Sequence, residues 1–270
     1  MSGGTCFREE SGFVLITRAR IGLALLKLSG ISKTFHNGVE AIGRIDLDVR
    51  QGEFISLVGP SGCGKSTALR LIAGLLQPTA GTVEWPGGRP EIGFVFQEPT
   101  LMPWATALQN VRLPLDLERV SRADANERAA HALARVELSG FQNAYPRELS
   151  GGMKMRVSIA RALAASPKLL LMDEPFAALD ELTRQSLNDD LLKLWSEDRL
   201  TVIFVTHSVY ESTYLSSRAV VMRPRPGRIA AEISLPPAVA RGADYRLSPQ
   251  FAENARKVSD ALRDAMGEMV

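Results

Sequence analysis

The run Gly59-Pro60-Ser61-Gly62-Cys63-Gly64-Lys65-Ser66-Thr67 constrains this chain more than any other stretch. Its spacing is G-x-x-x-x-G-K-[ST], the pattern of a loop that cradles phosphate. Phe54-Ile55-Ser56-Leu57-Val58 before it reads as a buried strand, and Ala68-Leu69-Arg70-Leu71-Ile72-Ala73 after it as a helix. The glycines let successive backbone N–H groups converge on one anion, and the helix adds its positive N-terminal end. Lys65 supplies a mobile ammonium for β- and γ-phosphates. Ser66 offers a hydroxyl to Mg²⁺, a hard cation that keeps most of its waters. The positions from Gly59 to Thr67 are therefore expected to bind a nucleoside triphosphate.

At 270 residues the chain suits one large domain or two modest ones, with enough apolar content for a sizeable core. Its 32 basic and 30 acidic residues leave a net charge of +2. That gives no electrostatic case for a nucleic-acid partner, which needs a concentrated basic face. Cys6 and Cys63 make no disulfide framework, and a disulfide at Cys63 would obstruct the phosphate loop, so a reducing cytosol fits. No apolar stretch reaches the ~18–20 residues that span a bilayer. Arg18 and Arg20 interrupt the N-terminal apolar runs, and Glu9 and Glu10 precede them, against the pattern of a signal peptide. Residues 1–22 read as an extension of unassigned role.

Along the chain, Leu26 to Phe35 reads as a strand, and Asn37-Gly38 is a hairpin signal into a second one. Ile45 to Val49 alternates as a half-buried strand does. Val83 and Trp85 alternate too and, with Ile92, Phe94 and Phe96, suggest a small antiparallel sheet beside the strand that feeds the phosphate loop. Strand signals vanish between Gln97 and Leu149. There Ser121 caps a helix through Ala130, Leu133 and Val136, with Gly140 as its expected stop. Leu169–Met172, Val202–Val205 and Ala219–Met222 are short apolar strands separated by helical stretches, which implies a parallel sheet covered on both faces. Arg223 to Arg228 is expected to be a solvated hairpin tip. Ser248, Pro249 and the stripe Phe251, Ala255, Val258 and Leu262 predict a C-terminal amphipathic helix, packed on its own domain or on a partner.

Two further motifs narrow the chemistry. The apolar strand ending in Asp173-Glu174 delivers two carboxylates to the rim of a sheet. Asp173 is placed for the Mg²⁺ water shell and Glu174 to polarise a water for in-line attack. Leu149-Ser150-Gly151-Gly152-Met153 opens a helix with a second anion cradle formed by Ser150 and the N–H groups of Gly151 and Gly152. This LSGG run resembles the signature of ABC transporter ATPases, and the resemblance covers about Leu26 to Leu235. It implies an α/β fold: a P-loop NTPase core, with a RecA-like parallel sheet and flanking helices, an antiparallel β subdomain and an α-helical insertion. The expected divisions are an extension over 1–22, an ATPase domain over 23–240 with the helical insertion at about 98–165, and a helical tail over 241–270.

The resemblance extends residue by residue. Gln97 looks like the glutamine that touches Mg²⁺ and the attacking water. His207, after Thr206, resembles the switch histidine that contacts the γ-phosphate. Asp180, in Ala177-Ala178-Leu179-Asp180, resembles the loop aspartate that crosses between two copies. Phe35 suits either an adenine platform or a core ring. Met153, Met155 and Ser208 depart from the commoner glutamine, polar residue and aspartate, although LSGGM and Gln97 to Trp104 resemble the nitrate, sulfonate and taurine importer branch.

What this implies is a Mg²⁺-dependent ATPase subunit of an importer of small anions. Two copies would sandwich two ATP molecules, each between Lys65 and Ser66 of one copy and Ser150 to Gly152 of the other. Glu174, His207, Lys65 and Gln97 would be catalytic. The implied partners are a second copy, a separate membrane permease and, indirectly, an extracytoplasmic solute-binding protein, with the chain held at the cytoplasmic face of the membrane. Leu101, Met102 and Trp104 either receive the permease or anchor the helical insertion. The rival readings are a soluble ATPase of the same family acting on nucleic acid or ribosomes, and a P-loop kinase, which leaves Leu149 to Gly152 without a purpose.

Overall fold

The apolar and the alternating runs of the sequence separate into two different sheets. The structure, a computed structural model, describes residues 24–236, 241 and 243–267. The extension expected over residues 1–22, with Cys6, lies outside the described residues. Strands β1 (Ala24–Thr34), β2 (Glu40–Arg50) and β3 (Phe54–Val58) are followed by helix α1 (Lys65–Ile72), β4 (Ala80–Glu84) and β5 (Ile92–Val95). Helices α2 (Ala107–Leu117), α3 (Arg122–Arg135) and α4 (Gly151–Ala164) come next. The chain continues through β6 (Leu169–Asp173), α5 (Glu181–Asp198), β7 (Thr201–Thr206), α6 (Val209–Leu215), β8 (Arg218–Arg223), β9 (Arg228–Ser234) and α7 (Pro249–Gly267).

Every residue of β3, β6 and β7 is buried, and these strands fill the middle of a six-stranded sheet ordered β5-β6-β7-β3-β8-β9. Its pairings are parallel except β8 with β9, so these largely apolar strands bury both faces between covering layers. Phe54, Phe176, Phe204 and Trp195 pack together on one face, with ring centroids 5.7–6.2 Å apart. The alternating strands make the other sheet, three-stranded and antiparallel, ordered β2-β1-β4.

β5 corrects the sequence reading. It pairs parallel with β6, from Ile92↔Leu169 to Val95↔Met172, and forms the edge of the large sheet rather than part of the antiparallel one. Alternation reports that one face is buried and carries no information on pairing direction. Gly93 and Val95 face inward, and a Cβ at Gly93 would lie 2.9 Å from the Ala162 carbonyl oxygen, so α4 crosses close above.

Ser121 caps α3 by accepting from the Asp124 N–H at 3.2 Å. The helix stops at Arg135, ahead of the expected Gly140, because Glu137 takes a left-handed φ of 62°. Gly140 instead lies in a short 3-10 turn, Ser139–Phe141. α2 falls inside the expected helical insertion, but its pattern, interrupted by Pro114, does not single it out there. A reciprocal cap starts it, with the Thr106 hydroxyl accepting from the Gln109 N–H and the Gln109 side chain accepting from the Thr106 N–H. At the C-terminus the Ser248 hydroxyl accepts from the Phe251 N–H at 3.1 Å, and α7 buries Phe251 and Val258, with Ala255 and Leu262 half-buried. Among the described residues no helix is long and apolar enough to cross a membrane.

The turn between β8 and β9 is not simply solvated. Arg225 and Arg228 are exposed, but Gly227 is buried and bridges β2: its N–H donates to the Ala41 carbonyl at 3.1 Å, and its carbonyl accepts from the Gly43 N–H at 2.9 Å. A Cβ at Gly227 would overlap the Cys63 carbonyl oxygen. The hairpin tip thus backs the phosphate loop. Gly227→Ala is expected to cost about 1–3 kcal/mol by overpacking. Gly87→Ala, with nothing within 4 Å of the added Cβ, is expected to be neutral. Urea unfolding midpoints of the two variants check this.

Candidate functional site

The carboxyl ends of β3, β6 and β7 come out side by side, and the functional side chains hang from them. After β3 the loop Gly59–Gly64 turns into α1 with Gly62 at φ 77° and Gly64 at φ 91°, a region glycine enters without steric cost. A Cβ at Gly64 would lie 2.5 Å from Ile42 Cδ1 and 2.7 Å from the Ala41 carbonyl oxygen. At Gly59 it would lie 2.6 Å from the Met222 carbonyl oxygen. No larger residue fits at either position. Cys63 is buried inside the loop, and burial pushes its thiol up from the ordinary value against the nearby Lys65 charge, so it packs as a neutral group.

Lys65 is buried, and its Nζ donates to the carbonyls of Gly59 at 2.8 Å and Pro60 at 3.1 Å. The same Nζ lies 3.5 Å from Glu174 Oε1. Ser66 Oγ donates to Asp173 Oδ1 at 2.7 Å. Glu174 Oε2 lies 3.1 Å from His207 Nδ1, whose side chain is 56% exposed. Glu174 itself has φ 46°, sparsely populated for a residue with a side chain. Its N–H donates to the Val205 carbonyl at 3.0 Å, so the strained residue is held against β7 as well as by its carboxylate. Lys65, Ser66, Asp173, Glu174 and His207 therefore converge.

Ser66 and Asp173 form a hydroxyl and carboxylate pair of hard oxygen donors, which fits a Mg²⁺ that retains water and borrows phosphate oxygens. Among the described residues no group of three His, Cys, Asp or Glu is arranged to hold a metal. Gln97 is exposed two residues beyond β5, whose Val95 pairs with Met172 beside Asp173. Phe35 lies in the β1–β2 turn, 37% exposed, with Lys33 Nζ 5.7 Å from its ring centroid. Of the two readings left open for Phe35, the core ring is excluded.

Ser150, Gly151 and Gly152 stand elsewhere. Ser150 caps α4 by accepting from the Met153 N–H at 3.2 Å. A Cβ at Gly152 would lie 2.6 Å from Thr183 Cγ2, so the start of α4 packs on the start of α5. Asp180 caps α5, accepting from the Thr183 N–H at 3.0 Å; that bond holds its carboxyl below the ordinary carboxylate range. Among the described residues no hydrogen bond joins Ser150, Gly151, Gly152 or Asp180 to the Gly59–Thr67 loop. The departures at Met153 and Met155 are packing choices, since Met155 is buried and Met153 lies against the core.

Sequence reasoning missed two residues that place this site. Arg161 donates to the carbonyls of Thr100 and Pro99, each at 2.9 Å, tying the segment after Gln97 to α4. Asn110, fully buried, holds the next turn through Met102 N–H at 2.7 Å and the Ala105 carbonyl at 3.0 Å. Each acts on backbone far away in sequence or in another element, and nothing in its local pattern signals the partner.

A family model described as ABC transporter matches residues 42–177. The nitrate import ATP-binding protein NrtD of Synechocystis sp. is 40% identical over 252 residues, 88% of this chain and 95% of that protein. The taurine import ATP-binding protein TauB of Rhizobium johnstonii is 43% identical over 237 residues, 83% of this chain and 89% of that protein. Among solved structures, a dimeric ATP-binding cassette in a post-hydrolysis state bound to ADP and Pi is 36% identical and superposes with a TM-score of 0.70, covering 78% of this chain and 99% of that one.

Ser208, the departure after His207, caps α6 by accepting from the Glu211 N–H at 3.3 Å, which is the cap an aspartate would also make. Ser208→Asp is therefore expected to leave stability and catalytic rate near those of the parent. Ser208→Ala is expected to lose about 0.5–2 kcal/mol. Thermal denaturation alongside nucleotide turnover separates the two.

Proposed function

The chain belongs to the ABC transporter family as an ATP-hydrolysing cassette, and from that premise we propose that it powers import of a small anion through a separate permease. The observation that carries the reading is the meeting of Lys65, Glu174 and His207 at the carboxyl ends of three neighbouring strands, while Ser150 to Gly152 stand apart from them. One chain then holds a phosphate site on one surface and a second anion cradle on another. Two copies facing each other would complete two ATP sites, with Asp180 beside the signature of its own copy and reaching toward the other. The dimeric form of the ADP-bound structural relative supports this.

Within each site the N–H groups of Gly59 to Thr67 would bind the β- and γ-phosphates. Lys65 would exchange its loop-carbonyl and Glu174 contacts for phosphate oxygens. Phe35 would stack on adenine. Ser66, Asp173 and Gln97 would hold Mg²⁺, which when bound neutralises charge on the phosphate oxygens. Glu174 would accept the proton of the attacking water at a carboxylate oxygen, and His207 would both orient that carboxylate through Nδ1 and contact the γ-phosphate. Catalysis of this kind is mostly positioning and electrostatics.

Leu101 packs on the core while Trp104 is 75% exposed. The loop thus anchors itself by one end and offers an aromatic side chain by the other, which supports docking against the cytoplasmic side of a permease; the chain would then lie on that face of the membrane. The nitrate and taurine relatives make a small anion, delivered by an extracytoplasmic binding protein, the substrate class to test first.

Glu174→Gln is expected to keep ATP binding, to lower turnover by a factor on the order of 10²–10⁴ as loss of a general base does, and to accumulate an ATP-dependent dimer in size-exclusion chromatography. Rapid hydrolysis by that variant would remove Glu174 from the role. Trp104→Ala is expected to lose the co-purifying membrane subunits, and their recovery at the parental ratio would count against this docking loop.

A further inference from the structure

Glu211 is a buried carboxyl group with no part in the site described above, and burying such a group without partners is costly. It is 7% exposed on α6 and accepts a short hydrogen bond at Oε2 from Thr206 Oγ1, itself 2% exposed. Thr206 immediately precedes His207, and its Oγ1 also accepts from the Ser208 N–H at 2.9 Å, so this one hydroxyl fixes the backbone on both sides of the histidine. The other carboxylate oxygen, Oε1, lies 3.7 Å from Arg184 Nε. Arg184 in turn donates from Nη2 to the Leu179 carbonyl at 2.8 Å, from Nε to the Phe176 carbonyl at 3.4 Å, and from Nη1 to Glu181 at 3.1 Å. Those carbonyls bracket Ala177 and Ala178, and Leu179 directly precedes Asp180.

We propose that Glu211 and Arg184 are positioning residues for ATP hydrolysis, joining the turn that carries His207 to the segment Phe176–Asp180 so that the two move as one. The proposal rests on the roles given above to His207 and Asp180. The physical case is continuity. Two segments far apart in sequence, which already meet through the β6–β7 pairing and the Phe176–Phe204 contact, are further joined by a path of one buried hydroxyl, one buried carboxylate and one half-buried guanidinium. At the buried Thr206–Glu211 end water competes poorly with the contact, and the planar guanidinium spreads its donors over two carbonyls and two carboxylates, which a lysine cannot do. An apolar side chain at 211 would fill the space but would hold neither segment.

The test is a kinetic cycle on the full chain, with Glu211→Gln and Arg184→Lys made singly in the parent and in a His207→Ala background. Glu211→Gln keeps the shape and removes the charge that attracts Arg184. Arg184→Lys, at a half-buried position, keeps the charge and removes the fork; it carries the same cycle should Glu211→Gln fold poorly. In the parent each is expected to lower kcat by roughly 10–100-fold, the scale of a misplaced catalytic group, while the KM for ATP stays within about twofold. In the His207→Ala background each should lower the residual single-turnover rate by less than about twofold, since residues acting through one another are not additive. A purely structural role would give the same factor in both backgrounds, and that additivity, or an unchanged kcat in the parent, would overturn the proposal. Full turnover by His207→Ala alone would instead defeat the role given to the histidine, and the relay with it, and is a distinguishable result.

Discussion

The site depends on one carboxylate being pulled in two directions. Glu174 stands at the end of β6 with Lys65 on one side and His207 on the other, at 3.5 and 3.1 Å. Those contacts are possible only because β3, β6 and β7 run parallel and end at the same level. The left-handed backbone at Glu174 costs about 1–3 kcal/mol by the usual scale for such residues. The hydrogen bond from its N–H to Val205, the ion pair with Lys65 and the hydrogen-bond contact with His207 offset that strain. A buried parallel sheet of largely apolar strands is therefore the means of setting three polar side chains on one rim with little freedom to drift.

Much of this was legible in the sequence, for a physical reason. The phosphate loop, the Asp173-Glu174 pair and the Ser150 cap are local: each is written within a few residues of its own strand or helix. Apolar runs such as Leu169–Met172 and Val202–Val205 announce burial on both faces for the same reason. What could not be read was pairing across distance. The alternation of Ile92, Phe94 and Phe96 locates a strand, but the fully buried face is that of Gly93 and Val95, and no residue in it says that its neighbour is β6. Gly227 looked like part of a charged turn because the Cys63 carbonyl it must avoid lies far away in the chain. Arg184 and Glu211 belong to no motif in the sequence, and their approach to 3.7 Å joins two helices that the chain pattern does not relate.

The serine at 208 illustrates how a departure from a family pattern can be neutral. An aspartate there and a serine there both present an oxygen to the N–H three residues on, and the serine does so without a second negative charge near Glu211. The methionines at 153 and 155 follow the same logic, since the helix they occupy turns them toward the core and a flexible apolar side chain suits that position.

The same wiring bears on how work would leave the site. Asn110 fixes Met102 and Ala105, and Arg161 fixes Pro99 and Thr100, so the loop that exposes Trp104 is attached to α2 and α4 at successive points. The first residues of α4 are those that Ser150 caps. A helix is stiff along its axis, so on the proposed reading a displacement imposed at Trp104 shifts Ser150 with it instead of dissipating in loop motion. Gln97 begins the same loop, at the edge strand beside Asp173. The loop therefore starts beside the strand that carries Asp173 and has its middle clamped to the helix that Ser150 caps. On the proposed reading, rearrangement at one half-site would be transmitted to the other through packed protein.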